Sequence, residues 1–222
     1  MSDEMIGLDG VSKVYHRADG DVRALEAVSL QVAAGEFVVV RGPSGSGKST
    51  LLLTIGGMIH PTSGTVTING RDLYAMGGGQ RGRLRATGIG FVFQMFHLVP
   101  YLSALENVLV TNLAGAGASR QQVAELLGHL GLGDRLAHLP AELSAGERQR
   151  VALARALIKH PEIILADEPT GNLDPDSAAQ VMGHLGRFHE GGGTVVVVSH
   201  DPAVEQHSDR ALRLQAGRLL GA

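Results

Sequence analysis

The sequence predicts an α/β fold built on a largely parallel sheet. Three observations carry that prediction: short β-branched runs, helical segments that alternate with them, and a glycine-rich turn joining one such strand directly to a helix. The first strand is "EFVVVRG" (36–42), and "RGPSGSGKST" leads from it into the helical "KSTLLLTIGG" (48–57). "GTVTING" (64–70) is a second strand. "YAMGGGQRGR" (74–83) is glycine-rich and polar, and is predicted to be a flexible surface loop. "GIGFVFQ" (88–94) is a third strand, after which strand signals stop. "SALENVLVTNLA" (103–114), "RQQVAELLGHLG" (120–131) and "GERQRVALARALIKH" (146–160) keep helical spacing, so a helical subdomain is expected over about 95–160. "EIILADE" (162–168) and "GTVVVVSH" (193–200) close the strand set, with the helical "DSAAQVMGHLGRFHE" (176–190) between them. The 222 residues, 44% of them hydrophobic, suffice for one compact domain spanning 1–222.

Bulk composition narrows the function classes. A net charge of −3 supplies no basic field to grip nucleic-acid phosphates, and no nucleic-acid partner is expected. The absence of cysteine excludes disulfides, thiolate zinc sites and iron–sulfur clusters. "MSDEMIGLDG" has neither a basic nor an apolar leader region and the longest apolar runs are strand-sized, so neither an export signal nor a membrane span is expected.

"GPSGSGKS" satisfies G-x-x-x-x-G-K-[ST] between a strand and a helix, the context that makes this pattern a phosphate-binding loop. Gly42, Pro43, Ser44, Gly45, Ser46 and Gly47 form the bend, whose N–H groups and following helix N-terminus carry partial positive charge. Lys48 would reach the β/γ-phosphates of a nucleotide, the Ser49 hydroxyl would ligate Mg²⁺, and Thr50 continues the motif. "IILADE" delivers two carboxylates at the end of an apolar strand, where open α/β sheets bind ligands. Asp167 is the candidate Mg²⁺ residue, through water, and Glu168 the candidate base or water-positioning group. His184 and His189, five apart on a helix, do not suit a zinc site, and Arg148, Arg150 and Arg155 are expected to form a solvated or interface helix face.

Together with "ILADEPTGNLD" and "LSAGERQRVALARAL", the phosphate loop makes the chain resemble, over essentially its whole length, the nucleotide-binding subunits of ABC transporters. The resemblance implies a P-loop NTPase (RecA-like) core with an N-terminal antiparallel β part and an inserted helical subdomain, binding ATP and Mg²⁺ and hydrolysing the ATP. It places Tyr15 under adenine and makes Gln94 the glutamine that contacts metal and attacking water. It further assigns Ser144, Ala145, Gly146 and Glu147 to the signature motif, Asp174 to the D-loop, and His200 to a γ-phosphate contact. It implies a head-to-tail homodimer in which each ATP lies between the phosphate loop of one copy and the signature motif of the other. "GMIHPTSGTVTINGRDL" and "GFVFQMFHLVPYLSALENV" are most similar to the LolD, MacB and FtsE group. That implies a separate permease of MacB, LolC or FtsX type, with the chain cytoplasmic and peripheral on the inner face of the cell membrane. The implied work is lipoprotein release, macrolide or toxin export, or division signalling. Met95, Phe96, His97, Leu98 and Tyr101 would line the groove that receives the permease.

The signature departs from the family pattern in having Ala145 where a glycine is usual. In helical backbone just after a Ser144 cap, alanine is favoured over glycine by about 0.5–1 kcal/mol; at positive φ it costs roughly 1–2 kcal/mol. A working ATPase is expected, slowed if the methyl crowds the backbone's approach to phosphate. The other class considered is a soluble ABC-type ATPase for DNA repair, chromosome structure or translation. Its expected marks, a coiled-coil insertion, zinc modules or tandem cassettes, are missing from the sequence, as is the N-K-x-D element of GTPases.

Overall fold

The computed structural model describes residues 4–18, 20–115 and 117–220. Two sheets share the chain. A long hairpin of β1 (Glu4–Arg17) and β2 (Gly20–Ala33) joins β4 (Ser63–Ile68) and β5 (Arg71–Asp72) in an antiparallel sheet ordered β2-β1-β4-β5. The second sheet contains β3 (Phe37–Arg41), β6 (Ile89–Phe93), β7 (Ile163–Asp167), β8 (Thr194–Ser199), β9 (Arg210–Gln215) and β10 (Arg218–Leu220), ordered β10-β9-β3-β8-β7-β6. All its pairings are parallel except the edge pair of β9 and β10. The strand "GTVTING" (β4) therefore belongs to the antiparallel sheet, where only one face meets the core.

The central strands are apolar without interruption because both of their faces are covered. Phe37, Val39, Ile164, Ala166, Val195 and Val197 face one hydrophobic cluster, formed with helices α3 (Ala104–Leu109), α4 (Arg120–His129), α5 (Ala145–Leu157) and α6 (Pro175–Glu190). Their neighbours Val38, Val40, Leu165, Val196 and Val198 face a second cluster, formed with α1 (Lys48–Ile55) and the antiparallel sheet. One period-two alternation thus builds two cores.

Among the described residues no strand occurs between Phe93 and Ile163, and α3, α4 and α5 lie in that interval. The stretch from Gln94 to Ser103 is turn and extended chain, so the first helix begins at Ala104 instead of near 95. Residues 78–83 correct the expectation of a loop: α2 spans Gly78–Gly88. None of its residues is buried, and arginines anchor it. Arg81 donates to Met76 O (3.1 Å) and lies over the Tyr74 ring, and Arg85 donates to Gly57 O (3.0 Å). Glycine weakens a helix by about 1 kcal/mol per residue, a cost that such side-chain anchoring offsets.

Register aligns the ends of the parallel strands. Phe93 lies opposite Asp167, Asp167 opposite Val198, and Val40 also opposite Val198. Gly42, Gln94, Glu168 and His200, each just beyond one of these ends, consequently meet at one edge of the sheet.

Candidate active site

A cleft of about 700 Å³ opens at that edge. Its walls include Tyr15, Pro43, Ser44, Gly45, Gly47, Lys48, Ser49, Thr50, Gln94, Asp167, Glu168 and His200. Residues scattered over almost the whole sequence are thereby gathered at the carboxyl ends of four strands.

The bend between β3 and α1 depends on glycine where the backbone turns hardest. Gly47 has φ 103°, and a Cβ there would stand 2.1 Å from Ala24 O on the antiparallel sheet. No side chain caps α1, so its first N–H groups remain free to face an anion. Gly42 and Ser46 stand behind the lining: a Cβ on Gly42 would meet Leu214 O at 2.1 Å, and Ser46 is 3% exposed. Lys48 is 7% exposed, and its Nζ donates to Gly42 O (2.7 Å) and Pro43 O (3.1 Å) while lying 3.6 Å from Glu168 Oε1. The ammonium is held inside the loop beside the carboxylate that follows β7.

Glu168 has φ 45°, a left-handed conformation that costs a non-glycine residue about 1–2 kcal/mol. Its Oε2 is correspondingly well held. Ser199 Oγ (3.0 Å) and the His200 N–H (3.2 Å) donate to it, and His200 Nδ1 lies at 2.9 Å. Nδ1 is turned to Glu168, and Nε2 of His200 makes no hydrogen bond among the described residues. Burial raises the Asp167 carboxyl above its ordinary value of 3.8; the Ser49 hydrogen bond opposes this, Glu168's charge adds to it and Lys48's charge opposes it. Asp167 Oδ1 is buried and receives no hydrogen bond. A buried, unsatisfied carboxylate oxygen next to a serine hydroxyl fits a hard divalent cation, so the residues present suit Mg²⁺. Gln94 sits in the turn after β6, with Nε2 3.0 Å from where a Cβ on Gly171 would stand. Tyr15 lies on the β1–β2 hairpin with Lys13 Nζ 5.2 Å from its ring centroid.

Ser144, Ala145, Gly146, Glu147 and Asp174 do not line the cleft. They form two helix starts packed together. Ser144 caps α5, its Oγ accepting from Glu147 N (3.2 Å) while Glu147 Oε2 accepts from Ser144 N (2.8 Å). Those bonds hold the Glu147 carboxyl below its ordinary value, with help from Arg135. Ala145 is the first helical residue and has no positive φ, so its backbone takes the favourable alternative. The steric constraint falls on Gly146, where a Cβ would stand 2.2 Å from Ser177 Oγ and 2.6 Å from its Cβ. Asp174 caps α6 by accepting from Ser177 N at 2.9 Å.

The arginines expected on a solvated or interface helix face are half-buried and hydrogen-bonded within the chain. Arg148 donates to Leu143 O (2.5 Å) and Pro140 O (3.2 Å), Arg150 to Gln180 Oε1 (2.7 Å), and Arg155 to His97 O and Phe96 O. Helix periodicity shows which face a side chain shares but not which carbonyls lie opposite. Sequence reasoning also missed Arg17, Val22, Arg23 and Ala24, which line the cleft from the hairpin, and Ser199, which holds Glu168. Only the serine carried a signal, as the polar residue ending "TVVVVS".

A family model described as ABC transporter matches residues 25–171. The lipoprotein-releasing system ATP-binding protein LolD of Shewanella sp. (strain MR-4) is 44% identical over 223 residues, covering 99% of this chain and 96% of that protein. The macrolide export ATP-binding/permease protein MacB 1/2 of Paracoccus denitrificans (strain Pd 1222) is 43% identical over 219 residues, 97% of this chain but 33% of that longer protein. The solved dimer of the ATP-binding cassette MJ0796, in a post-hydrolysis state with ADP and phosphate, superposes with a TM-score of 0.91 at 41% identity, covering 98% of this chain and 97% of that one. The fold and these likenesses agree, and the chain belongs to the ABC transporter family as an ATP-hydrolysing subunit.

Proposed function

We propose that the chain works as a head-to-tail homodimer that drives a separate membrane permease, with ATP and Mg²⁺ bound at the cleft of each copy. One observation carries this reading: the capped N-terminus of α5 carries the signature residues, yet none of them lines the cleft of the same chain. A second copy brings that helix end to the nucleotide, where its N–H groups and dipole face the γ-phosphate.

In this reading Tyr15 stacks on adenine, and the loop from Gly42 to Thr50 wraps the phosphates. Lys48 exchanges Glu168 and its loop carbonyls for phosphate oxygens. Asp167, Ser49 and Gln94 would hold Mg²⁺, which would supply positive charge to offset that of the phosphates. Glu168, released from Lys48 but still oriented by Ser199, accepts the proton of the attacking water. His200 presents Nε2 to the γ-phosphate, and Asp174 faces the partner copy across the joint.

The names of the relatives favour lipoprotein release or macrolide export as the work performed. No helix among the described residues is long and apolar enough to cross a membrane, in keeping with a permease on another chain. Met95 and Tyr101, 71% and 78% exposed beside the half-buried Leu98, offer an apolar surface for that permease. The decisive experiment measures Mg-ATP hydrolysis over a series of protein concentrations, with Glu168→Gln in parallel. A rate per chain that rises with concentration and vanishes in the variant supports the dimer. A rate per chain independent of concentration down to nanomolar protein, with no dimer detected, would refute it.

A further inference from the structure

The turn after Gln94 contains two successive residues in left-handed backbone that are not glycine, Phe96 (φ 58°) and His97 (φ 50°). Such a pair persists only where its surroundings over-determine it. Helix α5 supplies those surroundings. The half-buried Arg155 donates Nη2 to Phe96 O (2.7 Å) and Nη1 to His97 O (2.6 Å), so one guanidinium holds both carbonyls. Seven residues earlier on the same face, the Arg148 guanidinium lies 5.4 Å from the Phe96 ring centroid. The His97 ring meets Phe93 edge to face at 5.0 Å. Toward the catalytic strand ends, the fully buried Gln149 of α5 donates to Pro169 O (2.8 Å), one residue beyond Glu168. The helix that begins at the signature is thus bonded both to the Gln94 turn and to the chain following Glu168.

We propose that Arg155 is a positioning residue for Gln94: through the Phe96 and His97 carbonyls it sets how far the Gln94 carboxamide enters the cleft, so that a shift of α5 is passed to Gln94. The proposal rests on the reading of Gln94 as the group that contacts metal and attacking water. A planar fork suits two adjacent carbonyls, whereas a lysine ammonium is a point charge that cannot reproduce the paired geometry. Arg155 does not line the cleft and acts only through the turn.

The test is a double-mutant cycle on the full chain with Mg-ATP, recording kcat and KM. Arg155→Ala is expected to lower kcat by about tenfold with little change in KM, but to have an effect of less than about twofold in a Gln94→Ala background. Equal losses in both backgrounds, with Gln94→Ala itself defective, overturn the proposal and leave the Gln94 reading intact. Wild-type activity in Gln94→Ala sinks that reading and the proposal together. Because the chain has no cysteine, Met95→Cys gives a single labelling site, read against a control label at Gln121 on α4. A nitroxide at 95 should gain mobility in Arg155→Lys while the control does not. Unchanged mobility at 95 overturns the proposal even where Arg155→Ala fails to fold.

Discussion

Asp167, the proposed Mg²⁺ residue, carries a cost in stability. Its carboxyl is held above 3.8 chiefly by burial, so the folded chain binds that proton more tightly than the unfolded chain does. Its contribution therefore favours folding at pH below 3.8 and is lost as the pH rises through the raised value. At neutral pH the ionised group weakens the nucleotide-free fold, and Asp167→Asn is expected to raise Tm by a few degrees while lowering Mg-ATP hydrolysis by ~100-fold or more. A nucleotide-free melt and an ATPase assay on one preparation check both signs. Ala145 and Gly146 of the signature form a second contrast. Ala145→Gly should lower stability by at most about 1 kcal/mol, since residue 145 is already helical. Gly146→Ala should cost about 1–3 kcal/mol, because Ser177 fills the space of the new methyl. Denaturant midpoints of the two variants order them, and a Gly146→Ala variant as stable as the parent contradicts the close packing.

At the scale of elements, α5 ties the signature residues to the loops around the cleft. It starts at the Ser144 cap, buries Val151, Leu153 and Ala154, and is bonded to two loops of the cleft through Gln149 and Arg155. Its periodicity was legible in "GERQRVALARALIKH", but its tethers were not, since a hydrogen bond to a remote carbonyl leaves no local pattern. The converse failure is α2, where glycines argued for a loop and Arg81 and Arg85 secured a helix. Helix α6 carries a measurable consequence of burial. His184 is pushed down from 6.5 to about 4, first by burial and then by Arg187 and Arg150, and its Nδ1 accepts from Arg187 at 2.6 Å. As pH falls from 6.5 toward 4 the unfolded chain gains a proton there that the folded chain refuses, so stability is lost over that window. The drop in Tm between pH 7 and pH 5 should be smaller in His184→Gln; an identical drop in both proteins contradicts the shift.

At the scale of the whole molecule, two sheets and their helices place the cleft at one edge and the capped start of α5 outside its lining. In the proposed head-to-tail dimer the two come from different copies, and the expected signature of that association is kinetic. Below the dimer dissociation constant the total rate should rise as about the second power of protein concentration, because each active centre takes two chains, and should become linear above it. Glu168→Gln with ATP is expected to elute as a dimer and to revert to monomer when ATP is removed; monomer under both conditions contradicts the proposed trap.

The sequence by itself determined the strand–loop–helix that cradles phosphate, the apolar strand ending in Asp167 and Glu168, and the family, because these are local patterns in which neighbouring residues do the work together. The backbone choice at Ala145, the close fit of Gly146 against Ser177, and the fastening of the Gln94 turn by Arg155 were decided only in the tertiary structure. Each of these depends on groups 31 to 59 residues apart, or on a dihedral angle set by packing, and steric fit and hydrogen bonding act on distances that spacing along the chain does not encode.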